Sequence, residues 1–174
     1  CNDAHFWFLH PFWRVLNLYI MISNKPLKRA PELQPLSHDH HHGLQLCWKI
    51  RTGFSKQIEP DRIKKYSDWF YKTHLKPHFE LEEKYVFPIL GADNKLIKKA
   101  LAEHRRLERL FKQTTDQEKS LGLIEEELEA HIRFEERILF DEIQKTATED
   151  ELAKIKEIHI EETFVERDDD LFWK

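Results

Sequence analysis

HFELEEKYVFP, residues 78–88, and HIRFEERILFD, residues 131–141, are the same statement written twice: His at the first position, Glu-Glu at the fifth and sixth, Phe at the tenth. On a helix, residues i and i+4 lie one turn apart on one face. His78 with Glu82 and His131 with Glu135 are such pairs. The apolar neighbours say which face. Leu75, Tyr85 and Val86 fall on the stripe of the first pair, and Leu128, Ile138 and Leu139 on that of the second. Both pairs therefore point at a core, where an unpartnered carboxylate is costly. One His-x-x-x-Glu pair reads as an ordinary helix-surface interaction. Two, each in register with an apolar stripe and a following Phe, call for a shared cation. Glutamate is a hard ligand that can bridge two ions, and imidazole suits iron, zinc, copper and nickel.

The rest of the chain supplies the helices this needs. Glycine is scarce at 4 and proline modest at 7 in 174 residues, too little punctuation for a many-turned β fold. A first helix is expected from an N-cap at Ser37 to about Gly53, and a second from Glu59-Pro60-Asp61 to Phe87, with Pro77 kinking or splitting it. A third starts near Asp93 and carries Leu96, Ile97, Leu101, His104, Leu107, Leu110 and Phe111 at three-four spacing. Thr115 with Glu118 reads as a capping box for a fourth helix that runs to about Gln144, and Thr148 with Glu151 as one for a short fifth helix. The acidic tail ERDDDLFWK ends in aromatics that can dock or fray. Short connections make neighbours antiparallel, so the expected fold is an all-α, up-down four-helix bundle.

Composition narrows the function. Net charge is −4 with 34% charged residues of interspersed sign, which speaks against a nucleic-acid partner. Two cysteines, Cys1 and Cys47, make no disulfide framework and fit a reducing, cytoplasmic setting. No nucleotide-binding loop or nucleophile elbow is present. The opening CNDAHFWFLHPFWRVLNLYI is aromatic and nearly uncharged, lacks a basic leading region and is interrupted by Pro11. It is a poor signal peptide and a poor membrane span. With the sole methionine at Met21, residues 1–20 read as a non-native or upstream extension, ahead of an extended lead at 21–35, the bundle at 36–145, and a short helix and tail at 146–174.

Two further helices should each add a histidine. His104 faces the stripe of Leu107, Leu110 and Phe111. The run SHDHHHGLQLCW offers four. His41 stands to Leu44, Cys47 and Trp48 as His104 does to its own set, and His40 is nearly as well placed. The sequence favours His41 with His40 close behind. Four histidines and two glutamates are enough for two ions bridged by both carboxylates, with room for an exogenous ligand. Glu83 and Glu136 turn away from this face and read as salt-bridged flank.

In the order DHHHGL, HFELEEKYVFP, AEHRRL and HIRFEERILF, residues 36–145 resemble the hemerythrin-like, or HHE, cation-binding family. The resemblance implies an antiparallel four-helix bundle with two non-haem iron ions, oxo- or hydroxo-bridged, with zinc or manganese as alternative metals. It carries the ligand role to His41 or His40, His78, Glu82, His104, His131 and Glu135. Apart from the resemblance, Glu108 and Tyr85 are candidates for hydrogen bonds to a ligand histidine and to a metal-bound molecule. Oxygen-carrying members have a second histidine where this chain has Glu108, and an aspartate five residues after the fourth-helix histidine, where this chain has Glu136. The departure weakens a role in reversible oxygen transport. The expected function is a metal-binding protein that binds or senses O2, NO or peroxide, or handles iron. The alternatives are a di-iron oxidoreductase of nitrosative or oxidative stress defence or iron–sulfur repair, served by an electron-donor protein, and a structural metal-binding domain. Ferritin-like proteins order their motif as Glu-x-x-His, the reverse of this chain.

Overall fold

The computed structural model describes residues 28–159 and 164–174, so the expectations for residues 1–20 and for residues 21–27 of the lead lie outside the described residues. The α-helices are α1 (Gln34–Ser55), α2 (Pro60–Phe70), α3 (Lys76–Leu81), α4 (Lys95–Lys112), α5 (Gln117–Phe134), α6 (Phe140–Thr146) and α7 (Glu149–Ile158), and three π-helical segments, π1 (Tyr71–Leu75), π2 (Glu82–Val86) and π3 (Glu135–Leu139), continue some of them without a break. Because π1 joins α2 to α3, and π2 follows α3 directly, residues 60–86 form one long rod; α5, π3 and α6 form another. With α1 and α4 these make four rods, and no strand occurs among the described residues.

The antiparallel course of the rods is visible in their apolar residues, which form two buried clusters. One contains Leu46, Leu75, Phe79, Leu107, Leu128 and Ile132. The other contains Leu36, Val86, Phe87, Ile97, Ala100, Leu139 and Phe140. Along the chain the rods run from the second cluster to the first (Leu36 to Leu46), back (Leu75 to Val86), forward (Ile97 to Leu107) and back again (Leu128 to Leu139). Each fully buried Leu, Ile or Phe contributes roughly 1.5–3 kcal/mol, so the clusters hold the bundle at both ends. On every rod the buried His and Glu residues fall at the boundary between them.

Several helix ends differ from those the sequence suggested. Pro35 occupies the first turn of α1, where its missing N–H costs nothing, so α1 starts ahead of Ser37. Gly53 does not end α1 but lies inside it: a Cβ there would meet Ile63 Cδ1 at 2.7 Å and Phe172 Cε2 at 2.9 Å, so the glycine serves close packing. Pro77 neither ends nor splits the second rod. It sits in the first turn of α3, directly after π1, and the wider π turn absorbs the lost hydrogen bond. Helix α4 is capped by Asn94, whose side chain accepts from Leu96 N at 2.8 Å. Thr115 caps nothing; α5 follows Asp116, which adopts φ +50°. The Thr148–Glu151 capping box is present at α7.

The tail docks. Phe172 and Trp173 are buried, Trp173 lies edge-on to Tyr66 at 4.9 Å, and Arg62 clasps Asp170 at 2.6–2.9 Å. Lys49 donates to Tyr66 Oη at 2.6 Å, pairs with Glu166 and lies 4.0 Å over the Trp173 ring.

Candidate metal centre

At mid-height of the bundle, each rod turns one or two polar residues into the gap between the apolar clusters: His40 from α1, His78 from α3 with Glu82 from π2, His104 from α4, and His131 from α5 with Glu135 from π3. All six are buried, and both glutamates are fully inaccessible. Glu82 and Glu135 each open a π segment, the carbonyl of each accepting from the N–H five residues on. Wide turns of this kind recur at functional sites. Here they re-phase the helix directly after the carboxylate, so that Val86 with Phe87 and Leu139 with Phe140 still reach the second apolar cluster.

The six side chains form two groups that share their carboxylates. His40 Nε2 lies 3.1 Å from Glu135 Oε2 and 3.7 Å from Glu82 Oε1, and His78 Nε2 lies 3.2 Å from Glu82 Oε1. On the other side, His104 Nε2 is 3.5 Å from Glu82 Oε2, 3.8 Å from Glu135 Oε1 and 3.1 Å from His131 Nε2. His131 Nε2 is 3.3 Å from Glu135 Oε2. Glu82 turns one oxygen to each group. The His40 and His78 Nε2 atoms and all four carboxylate oxygens are buried without a hydrogen-bond partner. Buried polar atoms are rarely left so, and an unpaired buried carboxylate is costlier still. Metal–nitrogen and metal–oxygen bonds of about 2.0–2.2 Å put neighbouring ligand atoms about 3.0–3.5 Å apart, near the separations seen. The residues fit a pair of cations: His40, His78, Glu82 and Glu135 could hold one, and His104, His131 and Glu135 the other, with Glu82 Oε2 beside the second group.

Each of the four cluster histidines is held from behind. His40 Nδ1 lies 2.7 Å from Glu136 Oε1, His78 Nδ1 3.1 Å from Asp39 Oδ2, His104 Nδ1 3.0 Å from Glu83 Oε1 and His131 Nδ1 2.9 Å from Glu103 Oε2. An Nδ1–H donated to a carboxylate fixes the tautomer and leaves Nε2 as the ligand atom. The four pairs form a closed ring: α1 orients the second rod's histidine, π2 that of α4, α4 that of α5, and π3 that of α1. Asp39, Glu83, Glu103 and Glu136 are each adjacent in sequence to an inward residue. One helical step turns a side chain by about 100°, which moves it from the core face to the flank beside the next rod. The carboxylates are anchored in turn by Arg29 on Glu136, Arg105 on Glu83, Lys99 on Glu103 and His159 on Asp39.

The electrostatics match an acidic, cation-seeking cavity. Burial works against a charged His40, yet Glu135, Glu136 and Glu82 outweigh it and raise its imidazole well above the usual range. Against the same burial, Glu82 and Asp39 push His78 up to about 9, and Glu82 and Glu83 push His104 up to about 9. Burial opposes ionisation of Glu82, but the surrounding imidazoles hold it well below the usual carboxylate range. Without a metal, protons answer the buried negative charge, and cation binding releases them.

The family model of the hemerythrin HHE cation-binding domain matches residues 32–121. This chain belongs to that family. Comparison with curated proteins and with solved structures gives no match. The matched stretch contains His40, His78, Glu82 and His104 of the HHE bundle, while His131 and Glu135 lie beyond it and are joined to them by the fold.

Of the residues singled out in the sequence, His41 needs correcting. It is exposed and contacts Gln45 at 3.0 Å, while His40 occupies the cluster. Trp48 is 50% exposed, so the true buried stripe of α1 is Leu36, His40, Gly43, Cys47 and Ile50. Glu108 pairs with Lys112 at 2.7 Å, and Tyr85 lies under Lys84 at 4.8 Å; neither contacts a cluster histidine. Glu83 and Glu136 are more than flank: they orient His104 and His40 while bound to Arg105 and Arg29. Asp39 and Glu103 had no signal of their own beyond adjacency to His40 and His104. His74 packs against Trp69, Phe70 and Phe164. Cys47 is a buried thiol that burial pushes up to about 12, which suits core packing. Among the described residues no helix is long and apolar enough to cross a membrane.

Proposed function

We propose that this HHE bundle holds two iron ions and binds a small ligand, O2, NO or peroxide, at that centre. The observation that carries the reading is the set of six converging, partnerless buried ligand atoms on Glu82, Glu135, His40 and His78, backed by His104 and His131. In this reading His40 and His78 would hold one ion and His104 and His131 the other, with Glu82 and Glu135 offering carboxylate oxygens to both groups. A bound iron pair would supply reversible redox change and open positions for the exogenous molecule. The chain's own residues set the ligand geometry through the four Nδ1–carboxylate contacts and exclude bulk water with the two apolar clusters. The buried negative charge favours cations of higher charge. Four histidines rather than five, with Glu108 turned to solvent-side Lys112, favour sensing, scavenging or iron handling over oxygen transport.

The test is metal analysis of untagged protein from iron-replete cells, with optical spectra before and after azide. Iron near two per chain, and an absorption band that azide shifts, are expected. His131→Ala should lower iron content and change the band. Iron-free protein, or an unaltered spectrum in His131→Ala, would overturn the assignment.

A further inference from the structure

Beside the metal centre lies a cavity of about 250 Å³ bordered by the His40, His78 and His131 rings. An engineered cavity of about 150 Å³ already admits benzene, so this one is far larger than a diatomic ligand needs. Its walls mix histidines, Asp39 and Thr73 with apolar side chains, among them Phe70, Leu128 and Ile132 from the bundle and Phe164 from the C-terminal segment. Phe164 lies parallel to His42 at 4.1 Å and tilted to His74 at 4.7 Å. This aromatic wall suits a flat ring, which gains by offset or edge-on stacking.

The polar groups narrow the choice. Asp39 contributes a carboxylate to the wall, which disfavours an anion. Its Oδ2 already faces His78 Nδ1 at 3.1 Å and His159 Nε2 at 2.9 Å, so the carboxylate does not call for a cation either. His159 lines the same cavity, and its side chain is only 9% exposed. With Nε2–H donated to Asp39, its Nδ1 is an acceptor, and this buried atom has no hydrogen-bond partner among the described residues. A buried acceptor without a donor is a standing cost that a ligand hydroxyl would remove.

We propose that this cavity is a binding site for a neutral, single-ring aromatic molecule bearing a hydroxyl group, the ring packed against Phe164 and Phe70 and the hydroxyl donated to His159. The site adjoins the metal centre through His40, His78 and His131, and two of its residues, His159 and Phe164, come from segments that follow the four rods.

The test uses phenol and toluene as probes on the full chain as isolated, with saturation-transfer NMR and calorimetry. Phenol should bind about tenfold tighter than toluene, the worth of one well-made hydrogen bond. His159→Leu should abolish that preference while toluene binding persists. Phe164→Trp, which fills the cavity, should weaken both probes. Absence of phenol binding, equal binding of the two probes to the unaltered chain, or a preference that survives His159→Leu would each overturn the proposal. The comparison of probes needs no variant, so a misfolded variant leaves the question decidable. Because iron content is measured separately, failure here is distinguishable from failure of the di-iron reading.

Discussion

His40 Nδ1 and Glu136 Oε1 are 2.7 Å apart, the shortest of the four contacts that orient the cluster histidines, and the one that closes the ring from the last rod to the first. His40 stands alone on α1 as a cluster residue, whereas His78 and His131 share a rod with their own glutamate. Its ring depends on Glu136 for direction. Glu136→Ala should lower metal affinity about 10- to 100-fold, the usual cost of losing such a partner. A competitive chelator titration measures this, and unchanged affinity would show that Phe140, stacked on His40 at 5.3 Å, holds the ring unaided.

His40 and His41 are adjacent but face opposite environments. His40→Ala should remove metal from the centre, and His41→Ala should leave metal content and thermal stability within error. Metal analysis of the two variants side by side decides it. The reverse result would restore the sequence-based preference for His41.

Stability of the metal-free protein should fall as pH rises through neutrality. His40 is raised well above its usual value and His78 and His104 are raised to about 9 in the fold. A raised folded value contributes stability that is full below the unfolded value of about 6.5 and is lost as pH climbs through about 9. On the acid side, Glu82 is held well below its usual range, and His40, with Ser37 and Arg29, overcomes burial to bring Glu136 down to about 2. Their contribution is present above the ordinary carboxylate value and is lost as pH falls. Chelator-treated protein should therefore melt highest between about pH 4.5 and 6.5. The metal-loaded form should instead lose its metal on acidification, because protons compete for the same Nε2 atoms. Melting curves of both forms across pH test the pair of slopes, and parallel profiles would sink the prediction.

Gly53→Ala should destabilise the bundle despite the better helix propensity of alanine. The added Cβ would meet Ile63 and Phe172 below 3.0 Å. Overpacking costs about 1–3 kcal/mol against a return of about 0.5–1 kcal/mol from propensity, leaving a net loss on the order of 1 kcal/mol. Chemical denaturation measures it, and proteolysis of the tail should quicken as Phe172 is displaced. An unchanged or raised midpoint would mean that Phe172 moves aside at no cost.

The sequence by itself determined the helical bundle, the two His/Glu pairs and His104. A face that repeats every three to four residues is a local property, and a buried His-x-x-x-Glu written twice has few other meanings. It did not separate His40 from His41, because α1 lacks an unambiguous stripe: exposed Trp48 reads as apolar as buried Ile50. Nor did it show what Asp39, Glu83, Glu103 and Glu136 do. Each lies beside an inward residue but serves a histidine on another rod, 39, 21, 28 or 96 positions away. Which rod stands next to which is decided by the packing of the two apolar clusters, not by any local pattern. The same holds for the cavity, whose His159 and Phe164 reach the bundle only because the C-terminal segment folds back on it. Periodicity reports the direction a side chain faces; only the tertiary structure decides what it meets there.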